Sequence, residues 1–412
     1  MIDLRKNFLI FGYGISGKSI SKYLKRKKSF YKVYDDFTEL SSIKESINLQ
    51  ELKKTIKTFD YFIVSPSIKI NKNHFLYPFK EKILIDLDFL SLEIKNQIVF
   101  GVTGTEGKST ICSYLSQYLS DSFKTLIIGN YGNTILDKDN LEKTLSKIKI
   151  IIIELSSYQL DKIKFLKINH AIITNIYSDH LQYHGSFSNY VKSKFKIQSF
   201  LVKNGSLHIR GIERRRYSTL INTHNKNINT ISNMNFHNKI FGFDINLLNE
   251  YFTKSIITYC KFNFDRSKKL KNLPFRNELI ENISNINIIN DSKSTNLENS
   301  IIKINQINLK KKIIILGGNP KKSNIKTNII KNSLILIFGP NRFRISNRIE
   351  CINSKLFTFV NLENLFKFLK VIVHQTKWDV ILFSPGGESF DQFKDYSNRG
   401  EVFNSYIKKF KI

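Results

Sequence analysis

A lysine and two hydroxyls that close a glycine-bearing turn are well suited to phosphate chemistry. They stand in Thr103-Gly104-Thr105-Glu106-Gly107-Lys108-Ser109-Thr110. Backbone N–H groups of such a turn can cradle phosphates, an ammonium at Lys108 can neutralise the β/γ end of a triphosphate, and the Ser109 hydroxyl can ligate magnesium. The general phosphate-loop pattern has a glycine five residues before Gly107; here that position is Val102, so the loop is a variant. A carboxylate beside phosphates is costly, so Glu106 must point away from them. A second glycine turn, Gly12-Tyr13-Gly14-Ile15-Ser16-Gly17, is followed by Asp35. Such glycines let backbone approach a diphosphate at a helix N-terminus, and the acid can accept hydrogen bonds from a nucleoside. By themselves these residues fit NAD, another nucleotide, or a tight turn packing a helix on a strand.

A third group is Glu154-Leu155-Ser156-Ser157-Tyr158-Gln159-Leu160, then Thr174-Asn175, then Asp179-His180. A carboxylate and an imidazole at strand ends can hold magnesium beside phosphates; each alone also suits an ordinary loop. Tyr190-Val191-Lys192-Ser193-Lys194-Phe195 reads as a basic helix. Three segments of the last third gather Ser, Thr, Lys and Gly after apolar runs: Asn290 to Asn296, Leu316 to Lys321, and Ser384 to Phe393. Together they suggest a second substrate domain that recognises carboxylates and phosphates.

The elements that must carry these loops are short apolar runs closed by turn residues: 8–11, Ile63-Val64, 98–102, 150–153, 171–174, 312–316, 334–338 and 380–383. A helix is expected from about Ser109 to Leu119. Strand–loop–helix alternation predicts an α/β protein of several doubly wound domains. Residues 205–271 are polar, Asn-rich and weakly periodic, and no chemistry is assigned there.

At 412 residues with 41% hydrophobic content, two or three cored domains are expected. The cysteines Cys112, Cys260 and Cys351 show neither CxxC nor metal-ligand spacing, which predicts no disulfide framework and no zinc cluster. The apolar runs are too short for a membrane span or secretory signal, so a cytoplasmic protein is expected. The net charge of +31 comes from 65 Lys and Arg against 34 Asp and Glu. It is spread along the chain without a basic stripe, and neither nucleic acid nor membrane is expected as a partner.

In order, GxGxxG, TGTxGKST, ELSSYQL, DH, YxxxK, NDSKSTN and SPxxxSFDQFxxxxxRG resemble the Mur ligase family over nearly the whole chain, and most closely its D-glutamate-adding branch. The resemblance implies three α/β domains: a Rossmann-like UDP-sugar domain at 1–93, a P-loop ATPase-like domain at 94–272 and a Rossmann-like amino-acid domain at 273–412. It implies an ATP- and Mg²⁺-dependent amide ligase acting as a monomer on UDP-N-acetylmuramoyl-L-alanine and D-glutamate. The UDP moiety falls to Ile15, Ser16 and Asp35, with Asn130 and His180 near the reacting carboxylate. ATP falls to Gly104, Thr105, Gly107, Lys108, Ser109, Thr110, Asn249, Arg276 and Asp291. Magnesium falls to Ser109, Glu154, His180 and a CO₂-derived carbamate on Lys194, with Lys293 near the transferring phosphate. D-Glutamate falls to Thr295, Lys321, Ser389 and Tyr396.

This chain departs from the family pattern at Glu106, Ser67, Asp36-Phe37 and Phe275, and it lacks the Gly and His expected near Asn246 and Asn249. Another amino-acid or folate ligase of the family, or a nucleotide-binding protein without catalysis, are the alternatives.

Overall fold

Short continuous runs of large apolar side chains build the parallel strands, and the loops at the strand ends carry the polar motifs. The computed structural model describes residues 2–132, 134–222, 227–232, 245–283, 285–307, 309–321 and 328–409. Two units divide the chain: Met1–Asn233 with Glu250–Lys269, and Met234–Asn249 with Leu270–Ile412.

The first unit holds two all-parallel sheets. In one, β1 (Phe8–Phe11), β2 (Tyr31–Tyr34), β3 (Tyr61–Val64) and β4 (Ile83–Leu84) lie in the order β2-β1-β3-β4. The other contains β5 (Ile98–Thr103), β6 (Thr125–Gly129), β7 (Ile150–Glu154), β8 (Ile168–Ile173), β9 (Leu201–Arg210) and β10 (Ile228–Ile231), in the order β10-β9-β8-β5-β7-β6. Parallel strands covered on both faces favour continuous apolar runs. The four isoleucines of β7 are all fully buried, each contributing about 1.5–3 kcal/mol of transfer free energy. Because β5 pairs with both β7 and β8, with Val102 opposite Glu154 and Thr103 opposite Ile173, the loops leaving these three strands emerge side by side.

In the second unit, β11 (Glu278–Ile283), β12 (Ile286–Asn290), β13 (Lys312–Gly317), β15 (Ser333–Phe338), β17 (Lys355–Phe359) and β18 (Val380–Gly386) form a sheet ordered β11-β12-β18-β13-β15-β17. Only the edge pair β11–β12 is antiparallel. A separate pair joins β14 (Asn328–Lys331) to β16 (Ile349–Ile352). β12, β18 and β13 are neighbours, so the three Ser/Thr/Lys/Gly segments leave the same edge of one sheet.

The polar stretch 205–271 is more regular than its composition suggested. Its described part contains most of β9, all of β10 and a helix at Ile245–Tyr259. Phe252, Ile256 and Ile257 of that helix are buried, at the 4–5-residue spacing of one helical face. Residues 223–226 and 233–244 of this stretch lie outside the described residues.

Candidate active site

The first glycine turn joins β1 to the helix Ile15–Arg26. Gly17 is required by packing, since a Cβ there would collide with the Gly12 carbonyl oxygen. Asp35, just past β2, accepts backbone N–H bonds from Tyr13 at 2.5 Å and from Phe37 and Thr38 at 2.8 Å each. Burial raises its pKa, but these backbone donors outweigh burial and hold the carboxyl below its ordinary value. Asp35 therefore ties the turn to the end of β2. Ile15 is 69% exposed at the helix start, and Ser16 follows it in the same first turn.

The phosphate loop connects β5 to the helix Lys108–Leu119. Gly104 has φ +145°, and a Cβ there would run into the Thr174 hydroxyl, so only glycine fits. Thr174 and Asn175, at the end of β8, anchor the loop. The Thr174 hydroxyl donates to the Glu106 carbonyl at 2.6 Å, and the Asn175 side-chain oxygen accepts from the Glu106 N–H at 2.9 Å. Thr105 Oγ1 lies 2.9 Å from the Tyr190 hydroxyl. Lys108 donates to the Gly104 and Thr105 carbonyls at 3.0 and 2.8 Å, which curls the ammonium over the turn.

Glu154 is buried at the end of β7. The Ser109 hydroxyl donates to its Oε2 at 2.6 Å and the Asn130 amide to its Oε1 at 2.9 Å. A carboxylate and a hydroxyl held together beside a phosphate loop are hard oxygen ligands and fit a Mg²⁺ ion. His180, in left-handed backbone (φ +54°), sets Nδ1 2.6 Å from the Tyr158 hydroxyl and Nε2 3.4 Å from Asp179 Oδ2. Lys194 is fully buried; its Nζ donates to the Gly104 carbonyl at 2.7 Å and lies 4.7 Å from the Tyr190 ring centroid. Burial, then the nearby Lys108 charge, push this amine well below the ordinary lysine range, against the pull of Asp179 and Glu154.

The ELSSYQL segment therefore divides its labour. Glu154 faces the loop, while Ser156 and Gln159 form a reciprocal capping box on the helix Ser157–Lys162. Tyr158 orients His180, and Ser157 meets His184 Nε2 at 2.9 Å.

In the second unit, Asp291 is buried just past β12. It accepts from Lys303 at 3.2 Å, Ser384 at 3.1 Å and the Asn277 backbone at 3.3 Å. Lys293 lies 3.8 Å from the Tyr396 ring centroid, a cation–π contact that brings two of the expected residues together. Ser389 is buried and Thr295 half-buried. Lys321 is half-buried, its carbonyl accepting from Arg348 at 2.9 Å. Arg276 is half-buried beside Phe275, and Asn249 is buried on the helix Ile245–Tyr259.

Arg399 received no role from the sequence, although it stands in the last motif. It is fully buried, donating to Ser292 Oγ at 3.1 Å, the Ser292 carbonyl at 2.7 Å and the Gly387 carbonyl at 2.9 Å. Burial lowers its pKa to about 10, with Asp391 and Asp291 opposing. It locks the loop after β12 to the loop after β18, so it positions rather than binds. A charged residue closing a glycine- and serine-rich motif was the signal available.

Residues 102–286 match the family model described as the Mur ligase middle domain. The chain is 27% identical over 430 residues to a UDP-N-acetylmuramoylalanine--D-glutamate ligase of Francisella philomiragia subsp. philomiragia, covering 98% of this chain and 97% of that one. In fold it is similar to the MurF ligase of Thermotoga maritima in complex with ADP (TM-score 0.55, 15% identity, all of both chains). It is also similar to a bifunctional folylpolyglutamate synthase/dihydrofolate synthase of Yersinia pestis complexed with AMPPNP and Mn (TM-score 0.51, 11% identity, 77% of this chain and 92% of that one).

Proposed function

We propose that this chain, a Mur-type ligase by its middle domain, joins the carboxyl group of UDP-N-acetylmuramoyl-L-alanine to the amine of D-glutamate, driven by ATP. The observation that carries the reading is the convergence of Lys108, Ser109, Glu154 and Lys194 on one phosphate loop. Similarity to a named D-glutamate ligase over nearly the whole of both chains supports the substrate assignment.

In this reading Gly104, Thr105, Gly107, Lys108, Ser109 and Thr110 cradle the triphosphate, and Asn249, Arg276 and Asp291 serve the nucleotide. Ile15, Ser16 and Asp35 serve the UDP group. The substrate carboxylate attacks the γ-phosphorus, the bond to the ADP oxygen breaks, and an acyl-phosphate forms. The D-glutamate amine then attacks the carbonyl carbon, phosphate leaves, and the amine proton is lost. Lys108 and Lys293 stabilise charge on the migrating phosphoryl group, where electrostatics dominates. Asn130 and His180 position the reacting carboxylate.

Ser109, Glu154 and His180 would hold a Mg²⁺ ion, which would supply screening of the phosphate charge. A carbamate on Lys194 would complete the set: the neutral amine attacks CO₂, forms an N–C bond and releases one proton, leaving an anion where the neutral amine stood. Thr295, Lys321, Ser389 and Tyr396 hold D-glutamate. The division at 1–93, 94–272 and 273–412, a monomeric state and a cytoplasmic location belong to the same reading. No helix among the described residues is long and apolar enough to cross a membrane.

ADP release by the purified protein tests the reading. Turnover should require both UDP-N-acetylmuramoyl-L-alanine and D-glutamate. Equal turnover with L-glutamate, L-lysine or a folate would move the chain to another branch.

A further inference from the structure

Behind the phosphate loop, one face of the second sheet carries an unusual group of side chains. His170 on β8 lies opposite Phe100 of β5, three residues before the strand end at Thr103, and pairs with Ser206 of β9. His208 lies two residues further along β9 and so shares the face of Ser206. Cys260, just beyond the helix Ile245–Tyr259, brings its sulfur to the same point. The ligand atoms form a compact triangle. His170 Nδ1 and His208 Nε2 are 3.4 Å apart, and Cys260 Sγ is 3.5 Å from the first and 4.0 Å from the second.

We propose that His170, His208 and Cys260 form a zinc-binding site separate from the phosphate loop. Zn–N bonds of about 2.0–2.1 Å and a Zn–S bond of about 2.3 Å in tetrahedral geometry require N···N and N···S edges of roughly 3.3–3.6 Å. The observed triangle meets two of these edges, and a shift of a few tenths of an ångström in the Cys260 side chain brings the third into range. Ser206 Oγ, 2.7 Å from His170 Nδ1 and 2.9 Å from His208 Nε2, hydrogen-bonds both rings in the metal-free site, and a water would complete the tetrahedron around the ion.

Aromatic rings flank the two histidines, and His208 is the buried one of the three ligands. Phe100 stacks on the His170 ring at 4.6 Å between centroids, and Tyr259 meets the His208 ring edge-on at 5.3 Å. The Asn229 side-chain amide lies 3.1 Å from His208 Nδ1. With its oxygen on that side, it accepts the Nδ1–H and leaves the Nε2 lone pair directed at the metal, the usual outer partner of a ligating histidine. Zinc binding replaces the Cys260 S–H proton, which is released to solvent. The bound ion would pin the end of the helix Ile245–Tyr259 to β8 and β9.

Cobalt titration of the reduced, chelator-treated full-length protein tests the proposal. The expected result is a thiolate-to-cobalt charge-transfer band with tetrahedral d–d bands, saturating at about one ion per chain. Zn²⁺ should abolish the spectrum and excess Mg²⁺ should leave it. Ser206→Ala should keep the charge-transfer band and Cys260→Ala should lose it. Absence of the band from the wild-type protein overturns the site, as does its persistence at full strength in Cys260→Ala. Alkylation of the native wild-type protein followed by mass spectrometry decides the question even if Cys260→Ala does not fold. Zinc should slow labelling of Cys260 at least tenfold while leaving exposed Cys351 unchanged, and equal labelling of Cys260 with and without zinc overturns the site.

Discussion

The Lys194 side-chain nitrogen lies 2.7 Å from the Gly104 carbonyl oxygen, inside the turn that holds Lys108. Two lysines thus share one loop, one half-buried and one fully buried. Two ammonium groups there would repel each other and any divalent cation; a carbamate on the buried one reverses the sign of that interaction. Lys194→Ala is therefore expected to lose nearly all ADP release and to regain part of it with added acetate. Stripping CO₂ from the buffer should slow the unmutated enzyme. Full activity of Lys194→Ala without added carboxylate would refute the role.

Lys108→Ala should reduce turnover by at least about 10²-fold, because the β/γ phosphates lose their nearest cation. The fold should survive, since Lys108 is half-buried and donates to two carbonyls of its own loop. Steady-state kinetics with a thermal melt separates the two effects. Near-normal turnover would place ATP elsewhere.

Lys321→Ala should raise the KM for D-glutamate far more than that for ATP, since a carboxylate would lose a charge-assisted hydrogen bond of about 1.5–3 kcal/mol. An unchanged D-glutamate KM would remove Lys321 from the pocket.

Arg399→Met should cost more than about 3 kcal/mol of stability, because two carbonyls and the Ser292 hydroxyl lose their donor in a buried setting. Urea unfolding followed through the single tryptophan, Trp378 of the same unit, measures this. A midpoint within error of the wild type would show that the loops hold without Arg399.

Acidification should weaken the first unit through its half-buried histidines. Burial lowers His184 to about 4, with Lys194, Lys162 and Lys69 adding to it and Asp161 opposing; burial alone lowers His170 to about 4. The unfolded chain, with histidines near 6.5, takes up protons first as pH falls. Their contribution is complete above about pH 6.5, declines as pH drops, and is lost by about pH 4. Melting temperature against pH should fall across this window, and less steeply in His184→Gln. Identical slopes would exclude His184.

Much of the first unit's site was legible in the order of residues because its parts are local. A glycine turn between a strand and a helix and a hydroxyl after a lysine act within a few positions of one another, where backbone geometry leaves little freedom. The three loops of the second unit were legible as a set for a related reason. Each follows an apolar run, and parallel strands deliver their loops to one edge.

Tertiary structure decided the rest, because it rests on contacts between residues far apart in the chain. Arg399 reaches Ser292 across 107 positions, and no periodicity reports such a bond. The expectation of no zinc cluster was drawn from linear cysteine spacing. Cys260 meets His170 across 90 positions and His208 across 52. Ligand spacing is visible in sequence only when one turn or helix supplies the ligands. Here two parallel strands and a helix end supply them, and the pairing register that sets His170 beside Ser206 is chosen by burial of whole sheet faces, a property of the folded chain.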